Sequence, residues 1–376
     1  MSVGAAIGTY SAIASGMIAL TGIVFSLTFV MVQFSATAFS PRLGMWIARD
    51  PVLSHALGMF TATFLYALTA LAWVDRDNSG RVPLVSLWMV VLLMLGSIIM
   101  FISLIHRVGT LQVNRMLIFT GNQGRQIIAS LYPPIEDPTI SGPDEVDQLS
   151  CTQTVLHQGD PQFVQAVDVA TLVKLARQSG SLIEIMAAVG DSVLDSTPIL
   201  RVLGGSQPLS VEDLLNEIEL GNERTFEQDP KYAIRLLVDI AIKALSPAIN
   251  DPTTAVIAID QLQRLLRRVG SRNLRDERIL DGDGALRVIF HTPNWKDFLD
   301  LTFSEIRLYG AGNFQVVRRL RAMIENVSQS VPERRATMLA EELDLLDRAA
   351  QGQYRFPEDL ERSRVSDSQG LGGAST

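Results

Sequence analysis

The segment that decides the fold is Ser11–Phe34, which reads SAIASGMIALTGIVFSLTFVMVQF and contains no charged residue. A helix of about 20 apolar residues is long enough to cross the hydrocarbon core of a bilayer. This segment therefore predicts a transmembrane helix. Two segments of the same kind follow at residues 53–74 and 83–105, so we expect about three membrane helices within residues 1–108.

One face of the first predicted helix is polar and narrow. At about 100° per residue, five small or polar side chains fall within roughly 60° of one another. We call them the polar seam: Ser11, Ser15, Gly22, Ser26 and Gln33. Small residues and hydroxyls allow membrane helices to pack closely, so the polar seam is a candidate packing face. The same face is a candidate lining for a water-filled pore.

Arginine residues near the predicted helices indicate the orientation in the membrane. The segments after the first and third helices carry Arg42, Arg49, Arg107, Arg115 and Arg125. The segment between the second and third helices carries only Arg76 and Arg81. Because loops rich in Lys and Arg stay in the cytoplasm, we expect the long C-terminal part to be cytoplasmic and, with three spans, the N-terminus to face outward. Residues Ser40, Pro41 and Arg42, just past the first helix, form a candidate hinge between membrane and cytoplasmic parts.

The composition excludes several classes of protein. The net charge is −8, whereas nucleic-acid-binding domains are usually basic, so we expect no nucleic acid partner. Cys151 is the only cysteine, so no disulfide can form within the chain. No histidine has a second ligand-type residue at zinc-site spacing, and we find no nucleophile motif or phosphate loop. We therefore expect no metal or cofactor, and an enzyme ranks last among the functions considered.

The remaining chain predicts a soluble α+β domain that is mostly helical. We expect a juxtamembrane helical connector and a Pro- and Asp-rich linker at 109–148, then a small α/β unit at 149–205. A helical domain follows at 206–362, in which Ser210 caps a helix over 211–220. The last residues, 363–376, are polar and rich in Gly and Ser, which predicts a disordered tail.

A short pattern within the α/β unit resembles a known fold. Gly190-Asp191-Ser192-Val193, followed by a turn and PILRV at 198–202, is similar to the half-motif of biotinyl and lipoyl barrel-sandwich folds. The turn at 195–197 contains no lysine to which such a cofactor could be attached. A carrier role is therefore not expected, and a glycine turn between two strands also accounts for the pattern.

The most distinctive polar residues of the C-terminal part flank two predicted helices. ERTFEQDP at 223–230 and SPAINDPTTA at 246–255 each contain an Asp-Pro pair that suits a helix start. The structural interpretation is that Asp229 and Asp251 cap these helices. The functional interpretation is a contact for a ligand or a subunit, formed by Arg224, Gln228, Asp229, Asn250, Asp251 and Thr253. Arg224 is also a candidate partner for Asp251 across the helix pair.

These segments, together with TGIVFSLTFVMVQFSATAFSPRL at 21–43 and RDPVLSHALGMFTATFLYAL at 49–68, resemble one bacterial family. It is the family of predicted membrane proteins known as domain of unknown function 2254, and the resemblance covers roughly residues 10–350. It implies an integral membrane protein with a soluble C-terminal domain and implies no activity. Family members usually carry one more membrane helix before the first one here, which would place the N-terminus inside.

Two functions from different classes fit these patterns. The first is an oligomeric pore or transport-related protein of the bacterial inner membrane, with the cytoplasmic domain as its regulator. The alternative is a membrane-anchored sensor or scaffold that binds a protein partner through that domain, without transport. The expected partners are the lipid bilayer, further copies of the same chain, and in the second case a cytoplasmic protein.

Overall fold

The structure, a computed structural model, describes residues 2–38, 51–74, 84–109, 113–135, 149–274 and 277–372. The chain divides into two compact units, Met1–Met116 and Leu117–Thr376. The predicted hinge at Ser40, Pro41 and Arg42 lies outside the described residues, as does most of the predicted linker.

The first unit contains three long apolar helices: α1 (Val3–Ala38), α2 (Pro51–Trp73) and α3 (Leu84–Gly109). Each is long and apolar enough to cross a membrane, which confirms the prediction of three such helices. The helix α1 begins before the predicted Ser11 because the residues ahead of it are also uncharged and mostly small or apolar.

Side chains from neighbouring helices hold the first unit together. Tyr10 of α1 and Phe60 of α2 are fully buried. The hydroxyls of Thr63 in α2 and Ser97 in α3 lie 2.8 Å apart in a buried hydrogen bond. Small hydroxylated residues of this kind link helices where no water is available to satisfy them.

The second unit is mostly helical, as predicted. Its helices are α4 (Val113–Leu131, most of which belongs to this unit), α5 (Val169–Ser179), α6 (Val211–Asn216), α7 (Pro230–Ala244), α8 (Pro252–Gly270), α9 (Trp295–Gly310), α10 (Phe314–Ser328), α11 (Glu333–Gln351) and α12 (Pro357–Ser363). The short connection between α7 and α8 makes them an antiparallel hairpin, and this hairpin packs against α9 and α10. Apolar residues on most sides of α7 are buried, so α7 is the central helix of this unit.

Two small sheets complete the second unit. The strands are β1 (Cys151–Leu156), β2 (Gln162–Val167), β3 (Ser181–Ile185), β4 (Ser192–Val193), β5 (Pro198–Gly204), β6 (Ile218–Gly221), β7 (Glu277–Leu280) and β8 (Leu286–Phe290). One sheet has the order β1-β5-β3-β8-β7, in which only β3 and β8 run parallel, and the other has the order β4-β2-β6. Their apolar faces share one core with α5 and α6.

The sheet topology corrects the predicted boundary between a small unit at 149–205 and a helical domain at 206–362. Strands β7 and β8 come from the second of these ranges, and β8 pairs with β3 from the first. Strand β6 likewise pairs with β2. The two ranges therefore share both sheets and fold as one unit.

The helix predicted over 211–220 is too long. Ser210 caps it as expected, with its hydroxyl accepting the N–H of Asp213, but α6 ends at Asn216. Residues 218–221 form β6 instead, because pairing with β2 buries Ile218 in the shared core. Pairing with a distant strand has overridden the local helical pattern.

The C-terminal segment differs from the predicted disordered tail. Residues 363–372 lie against α10, and the buried carboxylate of Asp367 accepts the N–H of Gly372. Arg318 of α10 donates to the carbonyl oxygens of Val365 and Gly372. Because a polar sequence can be fixed by hydrogen bonds from a buried arginine, composition alone misread this segment.

Candidate functional site

A cavity of about 400 Å³ lies within the second unit where α7 begins. Its wall is largely apolar, with a few polar groups: Leu131, Tyr132, Pro133, Val167, Val169, Ile185, Ala188, Val189, Gln228, Asp229, Pro230, Lys231, Ile279, Phe290, His291, Thr292 and Pro293. We call it the Asp229 cavity. A concave apolar site of this volume with a few polar groups is typical of pockets for small molecules.

Asp229 is the buried carboxylate of this wall, with 2% of its surface exposed. It caps α7, since its Oδ1 accepts the backbone N–H of Tyr232 at 3.0 Å. Its other oxygen, Oδ2, is buried and has no hydrogen-bond partner. Burial raises the pKa of the Asp229 carboxyl above its ordinary value, while the Tyr232 N–H and the Arg224 guanidinium oppose the shift.

Gly190 leaves room for the carboxylate of Asp229, because it has no side chain. The backbone of Gly190 has φ +91°, a conformation that favours glycine, and its N–H donates to the carbonyl of Val164 at 2.8 Å. A Cβ at position 190 would overlap Oδ2 of Asp229. The turn at 190 and the start of α7 are therefore fitted to each other.

Gln228 and Arg224 hold the segment that leads into α7. The Gln228 side chain accepts the N–H of Val167 at 3.2 Å and donates to the carbonyl of the same residue at 3.3 Å. The Arg224 guanidinium lies 4.0 Å from Oδ2 of Asp229 and 5.7 Å from the ring centroid of Phe163. Arg224 thus offers a charge to Asp229 at a distance too long for a hydrogen bond.

The predicted contact set is divided by the structure. Arg224, Gln228 and Asp229 lie at the start of α7, whereas Asn250, Asp251 and Thr253 lie at the start of α8. The helix α7 has 15 residues, so about 22 Å separates its two ends. These six residues do not form one site.

The second group builds a turn with its hydrogen bonds satisfied. Asn250 has φ +48°, and Asp251 donates its N–H to the carbonyl of Ala244 at 2.8 Å. The Asp251 carboxylate accepts both the N–H of Thr254 at 3.1 Å and its hydroxyl at 2.6 Å. Thr253 is exposed. The structural interpretation of Asp251 as a helix cap is thereby confirmed.

The predicted pairing of Arg224 with Asp251 is wrong. Arg224 lies beside Asp229, and both oxygens of Asp251 are used by Thr254. In an antiparallel hairpin the start of the second helix lies beside the end of the first.

Comparison with known proteins agrees with the apolar helices of the first unit. A family model described as a predicted membrane protein, DUF2254, matches residues 2–326. The chain belongs to the DUF2254 family. Uncharacterised proteins of Mycobacterium bovis and Mycobacterium tuberculosis are each 29% identical to this DUF2254 chain over 379 residues, which cover 96% of this chain and 71% of theirs. No solved structure matches it.

The polar seam of this DUF2254 chain lies on the outside of the first unit. Ser11, Ser15, Gly22, Ser26 and Gln33 are all exposed, whereas the opposite side of α1 is buried. A Cβ at Gly22 would meet no atom within 4 Å. The described residues of the first unit therefore do not pack against the seam, and packing between copies and a pore lining both remain predictions.

The chemistry open to the Asp229 cavity follows from its donors and acceptors. An acceptor oxygen at the wall of an apolar space suits a molecule that carries one hydroxyl or amine on an apolar body. Among the described residues, no group of three or more His, Cys, Asp and Glu side chains is placed to hold a metal ion. The arrangement is one for binding by apolar packing together with a polar contact at Asp229.

The sequence pointed to Asp229 and Gln228 but not to the rest of the cavity. In the sequence Gly190 is recognisable only as part of a turn, and no motif marks Phe290 or His291. These residues come from segments far apart in the chain, so no local spacing links them to Asp229. A glycine with an unusual backbone conformation next to a cap is visible only in three dimensions.

Proposed function

We propose that this protein is a membrane-anchored binding protein whose second unit takes up a small ligand in the Asp229 cavity. Its apolar helices hold it in the bilayer, and the ligand acts as the signal to the soluble unit. This proposal develops the sensor interpretation of the sequence. It is supported above all by one observation, the buried Oδ2 of Asp229 that lacks a hydrogen-bond partner.

The ligand class follows from what would satisfy that oxygen. A buried acceptor without a partner costs about 1–3 kcal/mol, and a donor from a ligand would recover much of this. The neighbouring walls are apolar, with Val167, Ile185 and Phe290 among them. We therefore propose a ligand with an apolar body and one hydroxyl or protonated amine.

The cellular placement is part of the same proposal. The arginines at 42, 49, 107, 115 and 125 outnumber those at 76 and 81, which favours a second unit in the cytoplasm of a bacterium, attached to the inner membrane. A ligand that enters the cavity would then come from the cytoplasm. A protease added to sealed spheroplasts should leave the second unit intact, and digestion there would contradict this placement.

The ligand class can be tested with three probes that share one skeleton. They are 4-phenylbutylamine, 4-phenyl-1-butanol and 4-phenylbutyrate, followed by saturation-transfer NMR on the full-length protein in detergent, with empty micelles as the reference. We expect the amine and the alcohol to bind and the carboxylate not to bind. Binding of the carboxylate alone would point to Lys231 and overturn the proposal.

Matched variants test whether the NMR signal comes from a probe bound in the Asp229 cavity. Asp229→Asn keeps a side-chain acceptor for the helix cap but replaces Oδ2 by a donor, so binding of the amine should be lost. Ala188→Phe should block the cavity without touching Asp229. Asp251→Asn makes the same change at the other helix start and should leave binding unchanged. Equal binding by Asp229→Asn and the natural protein would contradict the proposal.

An oligomeric pore is the second candidate function, favoured by the exposure of the polar seam on α1. Three membrane helices cannot enclose a path, so a pore would need several copies around an axis. Ser26→Leu should then abolish ion flux through the protein in liposomes and leave its thermal unfolding unchanged. Flux equal to that of the natural protein would rule out this role of the seam.

A further inference from the structure

A cluster of arginines forms where α4 crosses α8 in the second unit. A Cβ at Gly121 would lie 2.7 Å from the Gln261 side chain, and one at Gly124 would lie 2.9 Å from Leu265. Such a close approach of two helices requires small residues at the crossing point. Arg125 follows Gly124 on α4, and it lies near enough to Arg264 and Arg268 of α8 for their charges to repel its own.

Arg272 extends this cluster just past the end of α8. It is 8% exposed, and its Nε is buried without a hydrogen-bond partner. Burial, followed by repulsion from Arg268, lowers the pKa of Arg272. Burial also lowers the pKa of Arg125, with Arg264 and Arg268 as further causes. We call Arg125, Arg264, Arg268 and Arg272 the arginine cluster.

The arginine cluster has no matching negative charge among the residues that the structure describes. Arg125 is hydrogen-bonded to the amide of Asn122, and Arg264 donates to the amide oxygen of Gln261 at 3.2 Å. The sequence of α4 contains no Asp or Glu. The acidic residue of α8, Asp260, is paired with Arg319 of α10. Four like charges are thus gathered, and the acceptors of Arg125 and Arg264 are neutral amides.

Helix stability explains only part of this arrangement. The C-terminal end of α8 carries a partial negative charge, which favours the basic side chains Arg267 and Arg268 there. It does not explain why Arg125 is brought in from another helix, and it leaves Nε of Arg272 unsatisfied. An anion with several oxygens would offset the charge of Arg125 and accept a hydrogen bond from Nε of Arg272. Guanidinium groups bind phosphate through pairs of hydrogen bonds.

We propose that the arginine cluster binds the phosphate headgroup of an anionic phospholipid. The chain itself favours a lipid source, because α4 begins only four residues after the membrane helix α3 ends at Gly109. Basic segments that directly follow a membrane helix are drawn to anionic lipids in the cytoplasmic leaflet. The proposal is independent of the Asp229 cavity, whose lining contains none of these arginines.

Lipid binding to the full-length protein in detergent tests this proposal. The probe is dioctanoyl phosphatidylglycerol, with dioctanoyl phosphatidylcholine and inorganic phosphate as comparisons, and bound lipid is counted by native mass spectrometry. We expect phosphatidylglycerol to bind and Arg125→Gln/Arg268→Gln to weaken it roughly tenfold or more. Both substituted side chains reach the surface, so the fold should be kept.

The matched control removes the same charge elsewhere. Arg348→Gln/Arg362→Gln changes two exposed arginines of α11 and α12, at 65% and 77% side-chain exposure, and should leave lipid binding unchanged. Lipid attached to the membrane helices is common to all variants and cancels in the comparison. Equal loss in both double variants, or no loss in either, would overturn the proposal. Displacement of phosphatidylglycerol by millimolar inorganic phosphate would also overturn it, by showing a site for a free anion.

Discussion

Two helices of the second unit begin with the same dipeptide and use it differently. Asp229-Pro230 starts α7 and Asp251-Pro252 starts α8, and each aspartate accepts the N–H of the residue three positions later. At α8 that residue is Thr254, whose hydroxyl also donates to the second oxygen of the carboxylate. At α7 it is Tyr232, whose ring packs against Phe226 and supplies no such donor.

The difference separates a structural cap from a candidate site. Asp251 is half-buried and both of its oxygens are satisfied within the chain, so it needs nothing more. Asp229 is buried in a cavity wall with one oxygen unsatisfied, which costs stability. Buried polar groups without partners are rare in folded proteins. The cavity beside Asp229 suggests that a ligand supplies the missing donor.

The largest expected effect concerns Gly190, for which the start of α8 has no counterpart. Gly190→Ala places a methyl group against Oδ2 of Asp229 and forces alanine into a backbone conformation with φ +91°. The backbone change should lower the free energy of unfolding by about 1–3 kcal/mol. The overlap should add about 1–3 kcal/mol. Urea unfolding of the full-length protein, followed by circular dichroism, measures the sum.

Gly159→Ala is the control for that experiment. Gly159 has φ +108°, but a Cβ there would meet no atom within 4 Å. It should therefore show the backbone cost alone. Equal losses for Gly159→Ala and Gly190→Ala would mean that the contact between Gly190 and Asp229 is not tight, and that the two helix starts differ less than they appear.

The next effect compares the two caps directly. Asp251→Ala removes a satisfied cap and should lower the free energy of unfolding by about 1–2 kcal/mol. Asp229→Ala also removes a cap, but it relieves the burial of a carboxylate with an unsatisfied oxygen, so its cost should be smaller. Unfolding of both variants under the same conditions checks this order. A larger loss for Asp229→Ala would show that Arg224 satisfies the carboxylate fully.

The sequence predicted these two helix starts correctly because the signals are local. Asp, Pro and the following helical pattern lie within a few residues, and the same holds for Ser210 before α6. The sequence could not show which cap would be buried. The burial of Asp229 depends on Gly190 and on strand β8, which are distant in sequence and are brought to the start of α7 by the folding of the sheets. The error at 211–220 has the same origin, since β6 forms only by pairing with the distant β2.

The pH dependence should distinguish Asp229 from a neutral residue in its place. Because the pKa of Asp229 is raised in the folded protein, the folded state binds a proton more tightly than the unfolded state. The stability that this provides is fully present below the ordinary carboxyl pKa of about 4 and is lost as pH rises through the raised value. The Asp229→Asn variant has no carboxyl group at this position, so it has no such contribution to lose. We therefore expect Asp229→Asn to gain stability relative to the natural protein as pH rises from about 4 to 8.

Urea unfolding of the two proteins at several pH values within that range measures the difference. Subtracting one from the other removes the titration of every other group that the two share. A difference that stays constant across the range would mean that Asp229 keeps an ordinary environment, and that the cavity does not withdraw it from water.

The smallest expected effect comes from a variant in which one oxygen of the Asp251 cap loses its donor, as at Asp229. Thr254→Val keeps the shape of the side chain but removes the hydroxyl that donates to Oδ2 of Asp251. Because Asp251 is half-buried, water can replace that hydroxyl, so the loss should be only about 0.5–1 kcal/mol. The amine probe should bind this variant as it binds the natural protein, since Thr254 does not line the Asp229 cavity. A loss of more than about 2 kcal/mol would show that water does not reach Asp251, and the contrast between the two helix starts would then rest on the Thr254 hydroxyl alone rather than on burial.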